Sequence, residues 1–164
     1  EKTFEEAIPI ADELLKDKNR RSLVIHMPHW HAGVIGIVAS RLVDRYHLPT
    51  VLMTTIDKLA KGSARSITNF DIHSALKKCG DLLFEYGGHK HAAGLSMEEL
   101  HIDEFRERLD VIAREQITDD MLEPEIVIDS ELKFSKFKSL NFFMWSYDLF
   151  PLIFIMTDCL TGCL

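Results

Sequence analysis

Ile8, Ala11, Leu14 and Leu15 recur at helical spacing among acids and lysines, which predicts an amphipathic helix over 4–18, with 1–19 as a linker into the domain that follows. Ser22 to Met27 (SLVIHM) is a short β-prone run, and Pro28 to His31 reads as a turn. Val34, Ile35, Val38, Leu42 and Tyr46 then follow helical periodicity until Pro49 stops it, and TVLMTT over 50–55 is the next strand. Strand, glycine turn, helix and strand make a βαβ unit, expected to be parallel and right-handed. A polar loop from Asp57 to Lys61 leads to GSARSI, a further strand. Asp71 is expected to cap a helix carrying Ile72, Ala75, Leu76, Cys79, Leu82, Leu83 and Tyr86 on one face. Gly80 inside it costs about 1 kcal/mol relative to alanine, so close packing or a break is expected there. Gly87 and Gly88 end that helix, AAGLSM is a strand, and Asp103 to Gln116 is a helix with Phe105, Leu109 and Ile112 inward. Pro124 marks a boundary, after which EIVIDSEL alternates like a strand. The predicted class is α/β: a mostly parallel or mixed central sheet flanked by helices over 20–120, then a partial β segment and irregular tail over 124–164.

The 164 residues, 46% hydrophobic and 9% aromatic, can bury a core, which excludes a disordered chain. A formal charge of -7 spread evenly would argue against an anionic partner, but it is segregated. Residues 98–131 hold thirteen acids and three bases, whereas 20–97 hold five acids and ten bases, and all eight histidines fall between 26 and 101. The stretch over 20–97 is therefore the one able to receive an anion. Cys79, Cys159 and Cys163 form no CxxC and point to a reducing compartment, with a cytoplasmic location expected. The apolar run over 140–156 is interrupted by Asn141, Ser146, Asp148 and Pro151, so no membrane span is expected.

Three glycine-bearing stretches carry candidate chemistry: WHAGVIG over 30–36, KGSARS over 61–66 and GGHKHAAG over 87–94. Gly33 and Gly36 fall in the first turn of a predicted helix, where free N–H groups and the positive dipole end attract phosphate, and His31 stands just before it. The plainer alternative is tight helix packing, with His31 capping or packing under Trp30. In the second stretch Ser63 and Ser66 offer hydroxyls and Arg65 a fork suited to two phosphate oxygens, although an isolated strand arginine is usually a solvated residue. In the third, Gly87 and Gly88 beside His89 bring backbone and imidazole to one point, suited to binding a phosphodiester or moving a proton. An ordinary helix cap and turn with exposed histidines is the alternative there. Two HxH pairs, His29 with His31 and His89 with His91, also raise a zinc site, but no cysteine or carboxylate joins them at a familiar ligand spacing. No GxSxG elbow is present.

Taken in order, WHAGVIGIVASRL, KGSARSITNFDIHSAL and LLFEYGGHKHAAGLSM resemble the C-terminal DHHA1 half of RecJ-type single-strand-specific DNA exonucleases, within the DHH phosphoesterase superfamily. The resemblance covers about 4–132, and 125–132 is similar to the start of that family's OB-fold domain. It implies 5′ to 3′ hydrolysis of single-stranded DNA in repair and recombination, with Mn2+ or Mg2+ activating water. In the family those ions are held by a preceding DHH domain. The nearest string here, Asp71-Ile72-His73, belongs to a predicted helix start, so no metal ligand or cofactor is assigned to this chain and no activity is expected of it alone. Carried onto these residues, the resemblance makes Arg65, Ser63 and Ser66 phosphate clamps, and Gly87, Gly88 and His89 the loop at the terminal nucleotide, with His89 in catalysis. His31 and Gly33 of the WH motif are further phosphate contacts, and His29, Lys90 and His91 auxiliaries. The implied partners are single-stranded DNA, the DHH domain, a single-strand-binding protein and a helicase. Two other functions fit the same residues: a phosphodiesterase for short RNA or cyclic dinucleotides with a comparable GGH loop, and a non-catalytic nucleic-acid-binding module like the related domain of alanyl-tRNA synthetases.

Overall fold

The strand that organises the domain is β3, Leu59–Arg65, which is hydrogen-bonded along its whole length on both sides. The computed structural model that shows this describes residues 1–122, which lie within one unit, Glu1–Pro124. Helix α1 (Lys2–Leu14), strand β1 (Leu23–His26), helix α2 (Ala32–Tyr46) and strand β2 (Thr50–Ile56) precede β3. Helix α3 (Ile72–Lys78), strands β4 (Glu85–His89) and β5 (Ala92–Glu98) and helix α4 (Ile102–Gln116) follow it. The sheet order is β1-β2-β3-β5-β4.

The β1-α2-β2 unit is parallel, as its pattern predicts. The other three pairings are antiparallel, so the sheet is mixed and not mostly parallel. Two local features produce the difference. The expected 57–61 loop is a two-residue turn in which Asp57 and Lys58 both take positive φ (50° and 68°), the geometry that suits a tight hairpin, and β3 therefore starts at Leu59. The helix expected over 71–86 begins as predicted, with Asp71 accepting from Ser74 N at 3.0 Å, but it ends at Lys78. A 3-10 turn, Gly80–Leu82, follows, and the chain returns as an edge strand. Gly87 and Gly88 are therefore strand residues and not a helix cap. Gly88 has φ of 144°, and a Cβ there would fall 2.4 Å from the Ala92 carbonyl oxygen, so only glycine fits beside the Lys90–His91 turn.

Because side chains alternate along a strand, the sheet has two faces with separate cores. Leu23, Ile25 and Leu52 pack with Ala7 and Ala11 of α1 and Ile35, Val38, Ala39 and Leu42 of α2. The predicted linker segment is thus packed into the same unit. On the other face Val24, Val51, Met53, Ala64, Ala93, Leu95 and Met97 meet α3 and α4 through Leu76, Phe105 and Leu109. Each large side chain buried completely in these layers contributes roughly 1.5–3 kcal/mol. Cys79 lies in the second core, where burial pushes its thiol up to about 11, well out of reactive range. The OB-like segment expected over 125–132 and the tail lie outside the described residues.

Asp110 ties α4 to the entry of β1. Its side chain, only 1% exposed, accepts from Arg21 N (2.8 Å), Ser22 N (3.0 Å) and Ser22 Oγ (3.3 Å), with Arg114 Nη2 2.6 Å from its other oxygen. Asp110→Ala strands two backbone donors, so urea unfolding is expected to show a loss of about 2–4 kcal/mol. A loss below about 0.5 kcal/mol would mean these donors find other partners.

Candidate functional site

The two faces are not covered equally. α2 lies over β2 and β3, and beyond it the same face is open at Gly94 of β5 and at Glu85, Gly87 and His89 of β4, with Ser96 of β5 buried. Register decides what that open face carries. Arg65 is paired with Ala92, and Ala92 with His89, so all three point the same way. Two strand spacings of ~4.8 Å put the Arg65 and His89 Cα atoms about 10 Å apart. The next row on this face is Ser63, Gly94 and Gly87, and the one after it Lys61, Ser96 and Glu85. The middle row is nearly bare backbone: a Cβ at Gly87 would meet nothing within 4 Å, and one at Gly94 only the Gly62 carbonyl at 3.9 Å. The result is a shallow trough, walled by α2 and open at the β4 edge.

Arg65 is held within this trough by neutral acceptors only. Its Nη1 donates to Ser63 Oγ at 2.9 Å and to the Ala64 carbonyl at 2.8 Å. Six of the eight arginines form ion pairs, and Arg45 lies near the Tyr46 ring. Arg65 alone has no carboxylate or aromatic partner among the described residues, so its charge is available to an anion. The third glycine stretch supplies His89 by register, and the first touches Arg65 directly. A Cβ at Gly36 would fall 2.8 Å from Arg65 Nη2 and 3.0 Å from Ser63 Oγ, so the guanidinium rests against the first turns of α2.

Other expected contacts are placed differently. His31 is the N-cap of α2: its Nδ1 accepts from Gly33 N at 3.0 Å, so the Gly33 donor expected to meet phosphate is already engaged. In the neutral ring this leaves the proton on exposed Nε2. Trp30 is buried, and its Nε1 donates to Glu6 Oε2 at 2.9 Å. Hydrogen bonds from His29 and Trp30 hold the Glu6 carboxyl below its usual range. The Ser66 hydroxyl donates to the Phe70 carbonyl at 2.7 Å and Ser66 N to the His91 carbonyl, which closes the loop behind the strand end. Gly88 lies in the alternate register, its backbone exposed at the edge. No three His, Cys, Asp or Glu side chains come together in metal-binding geometry among the described residues, so the HxH pairs assemble no zinc site there. Nor is any helix among them long and apolar enough to cross a membrane.

The DHHA1 domain family model matches residues 19–115, which takes in all three glycine stretches. This chain belongs to the DHHA1 domain family. Among its curated relatives, the single-stranded-DNA-specific exonuclease RecJ of Bacillus subtilis is 35% identical over 130 residues, 78% of this chain and 16% of that protein. RecJ of Escherichia coli is 34% identical over 134 residues, 77% of this chain and 23% of that protein. RecJ of Thermus thermophilus, solved in complex with Mn2+, superposes with a TM-score of 0.58 at 35% identity, over 70% of this chain and 17% of that one. An exonuclease RecJ bound to manganese gives a TM-score of 0.60 at 34% identity, over 75% of this chain and 31% of its own. The DHHA1 chain thus spans less than a quarter of the length of either curated relative.

The contact between Gly36 and Arg65 was hidden from pattern reading, because the two residues are far apart in sequence and meet only when α2 lies on β3. Alanine is the better helix former by about 1 kcal/mol. The nearest atom it would strike is the end of a long side chain, and the Ser63 hydroxyl at 3.0 Å need give by only a few tenths of an ångström. Gly36→Ala is therefore expected to melt no earlier than the parent while shifting the Arg65 Nε–H resonance in an NMR spectrum. An unmoved resonance would show that the guanidinium does not rest on that turn.

Proposed function

We infer that this DHHA1 domain grips the substrate of a longer single-strand-specific DNA exonuclease. The observation that carries this reading is the unpaired Arg65 guanidinium, backed by Ser63, on the same open face as His89 and a glycine floor. An arginine fork without a carboxylate suits a phosphodiester, and a bare floor lets sugar and base approach the backbone. Single strands fit an open shallow face better than a duplex, whose two backbones would need contacts on both sides of a groove. On this reading Arg65 clamps the phosphate near the cleaved bond, and His89 at the trough edge moves a proton at that phosphate. Gly87 and Gly88 keep the edge free of side chains for the terminal nucleotide.

The described residues offer no ligand set for Mn2+ or Mg2+, so no step is assigned to a metal held by this domain. The ions, and the water they activate, belong on this reading to a DHH domain elsewhere in the whole exonuclease, and the domain alone binds strands without turnover. Work in repair and recombination beside a single-strand-binding protein and a helicase, in the cytoplasm, completes the proposal. Its support is the similarity to RecJ proteins.

In the complete protein Arg65→Ala is expected to lower kcat/KM on single-stranded DNA about tenfold or more with the fold retained. His89→Ala is expected to lower turnover about a hundredfold with a smaller effect on affinity. Unchanged processing by the first variant would remove the clamp, and a purely affinity-based loss in the second would remove the proton-transfer role.

A further inference from the structure

The far row of the trough holds a second cation that neither the family resemblance nor the motif reading employs. Lys61 is exposed, shares its face with Ser63 and Arg65, and joins no ion pair among the described residues. Four residues at ~3.3 Å per residue separate it from Arg65 by about 13 Å along β3. That length is about four steps of a stacked strand, which advances ~3.4 Å per nucleotide. α2 stands over Ser63, so the open path between the two cations runs beside β3, over the exposed Gly94 of β5. The acids on this face lie past or beside the far end. Glu85 shares the Lys61 row across two strands, and Glu98 is paired with Leu59 one row beyond. They oppose extension of an anionic backbone in that direction.

We propose that Lys61 is a second phosphate contact, so that a single strand lies over β5, beside α2 and parallel to β3, with one phosphate on Arg65 and another, more than one step away, on Lys61. The acidic pair Glu85 and Glu98 closes the track. The trough therefore counts length: a ligand with one phosphodiester meets Arg65 only, and a longer one meets both. This rests on the reading of Arg65 as a phosphate clamp and adds polarity and a minimum length to it.

The test compares the parent chain with Lys61→Gln, Lys61→Arg and Arg65→Gln, using unphosphorylated thymidine dimer and hexamer as probes. NMR titration serves for the dimer, fluorescence anisotropy at several salt concentrations for the hexamer. Lys61→Gln is expected to weaken hexamer binding about fivefold, to reduce the log–log salt slope by about 0.7, and to leave dimer binding unchanged. Lys61→Arg should restore the hexamer affinity and the slope. Arg65→Gln should weaken both probes. If Lys61→Gln leaves the hexamer unaffected, or weakens dimer and hexamer alike, the second contact is overturned while the clamp stands. If Arg65→Gln changes neither probe, or the parent binds neither, the clamp reading itself falls.

Discussion

The double pairing of β3 is the constraint from which the remaining geometry follows. A strand bonded on both sides cannot slip by one residue without turning its whole inward set outward, which would expose Ala60 and Ala64 and bury Lys61 and Arg65. The tight Asp57–Lys58 turn fixes the register on the β2 side, and the Lys90–His91 turn fixes β4 against β5. Between them these turns place Arg65, Ala92 and His89 in one row without any direct bond between the arginine and the histidine. The candidate site is thus a product of backbone hydrogen bonding, and its side chains are positioned by the sheet more than by each other.

Glycine serves this arrangement in different ways. At Gly36 the missing side chain lets an arginine lie on a helix, and at Gly88 it permits a backbone path that a Cβ would block. At Gly87 and Gly94 it leaves the sheet surface bare, and that bareness is what a ligand would meet. A substitution at any of these positions has a different physical consequence, although in the sequence all four residues look alike.

Charge is sorted by face. Within the acid-rich stretch, α4 packs under the opposite side of the sheet through Phe105 and Leu109. Its bases are consumed locally: Arg106 pairs with Asp103, Arg108 with Asp81 and Glu104, and Arg114 with Asp17 and Asp110. The exposed pairs among these are worth little individually in water. They do keep Asp81, Asp103, Glu104 and Asp110 occupied at a distance from the trough. A chain with net charge -7 can therefore present a cationic strip, because field strength at a surface depends on nearby unpaired charge.

Local periodicity was sufficient for β1, α2, β2 and α4, where one apolar stripe repeats for several turns or a β-branched run is bounded by turn residues. The Asp71 cap was equally legible, since a capping bond joins residues only three apart. Ile72 to Tyr86 misled because the period that draws α3 continues through Leu82 and Leu83, while Gly80 lets the helix break and the edge of β5 offers Glu85–His89 a ladder of hydrogen bonds. That competition between a helix and a strand partner is settled by tertiary pairing and has no local signature. The three glycine stretches could be picked out from composition alone, and with them Arg65, Ser63 and His89. Their meeting on one face, the use of the Gly33 donor by His31, and the resting place of Arg65 on Gly36 depend on which elements become neighbours. Sequence supplied the chemical groups, through residue type and spacing along a few turns; the folded sheet alone supplied their relative placement, because register and packing act between segments that the chain order keeps apart.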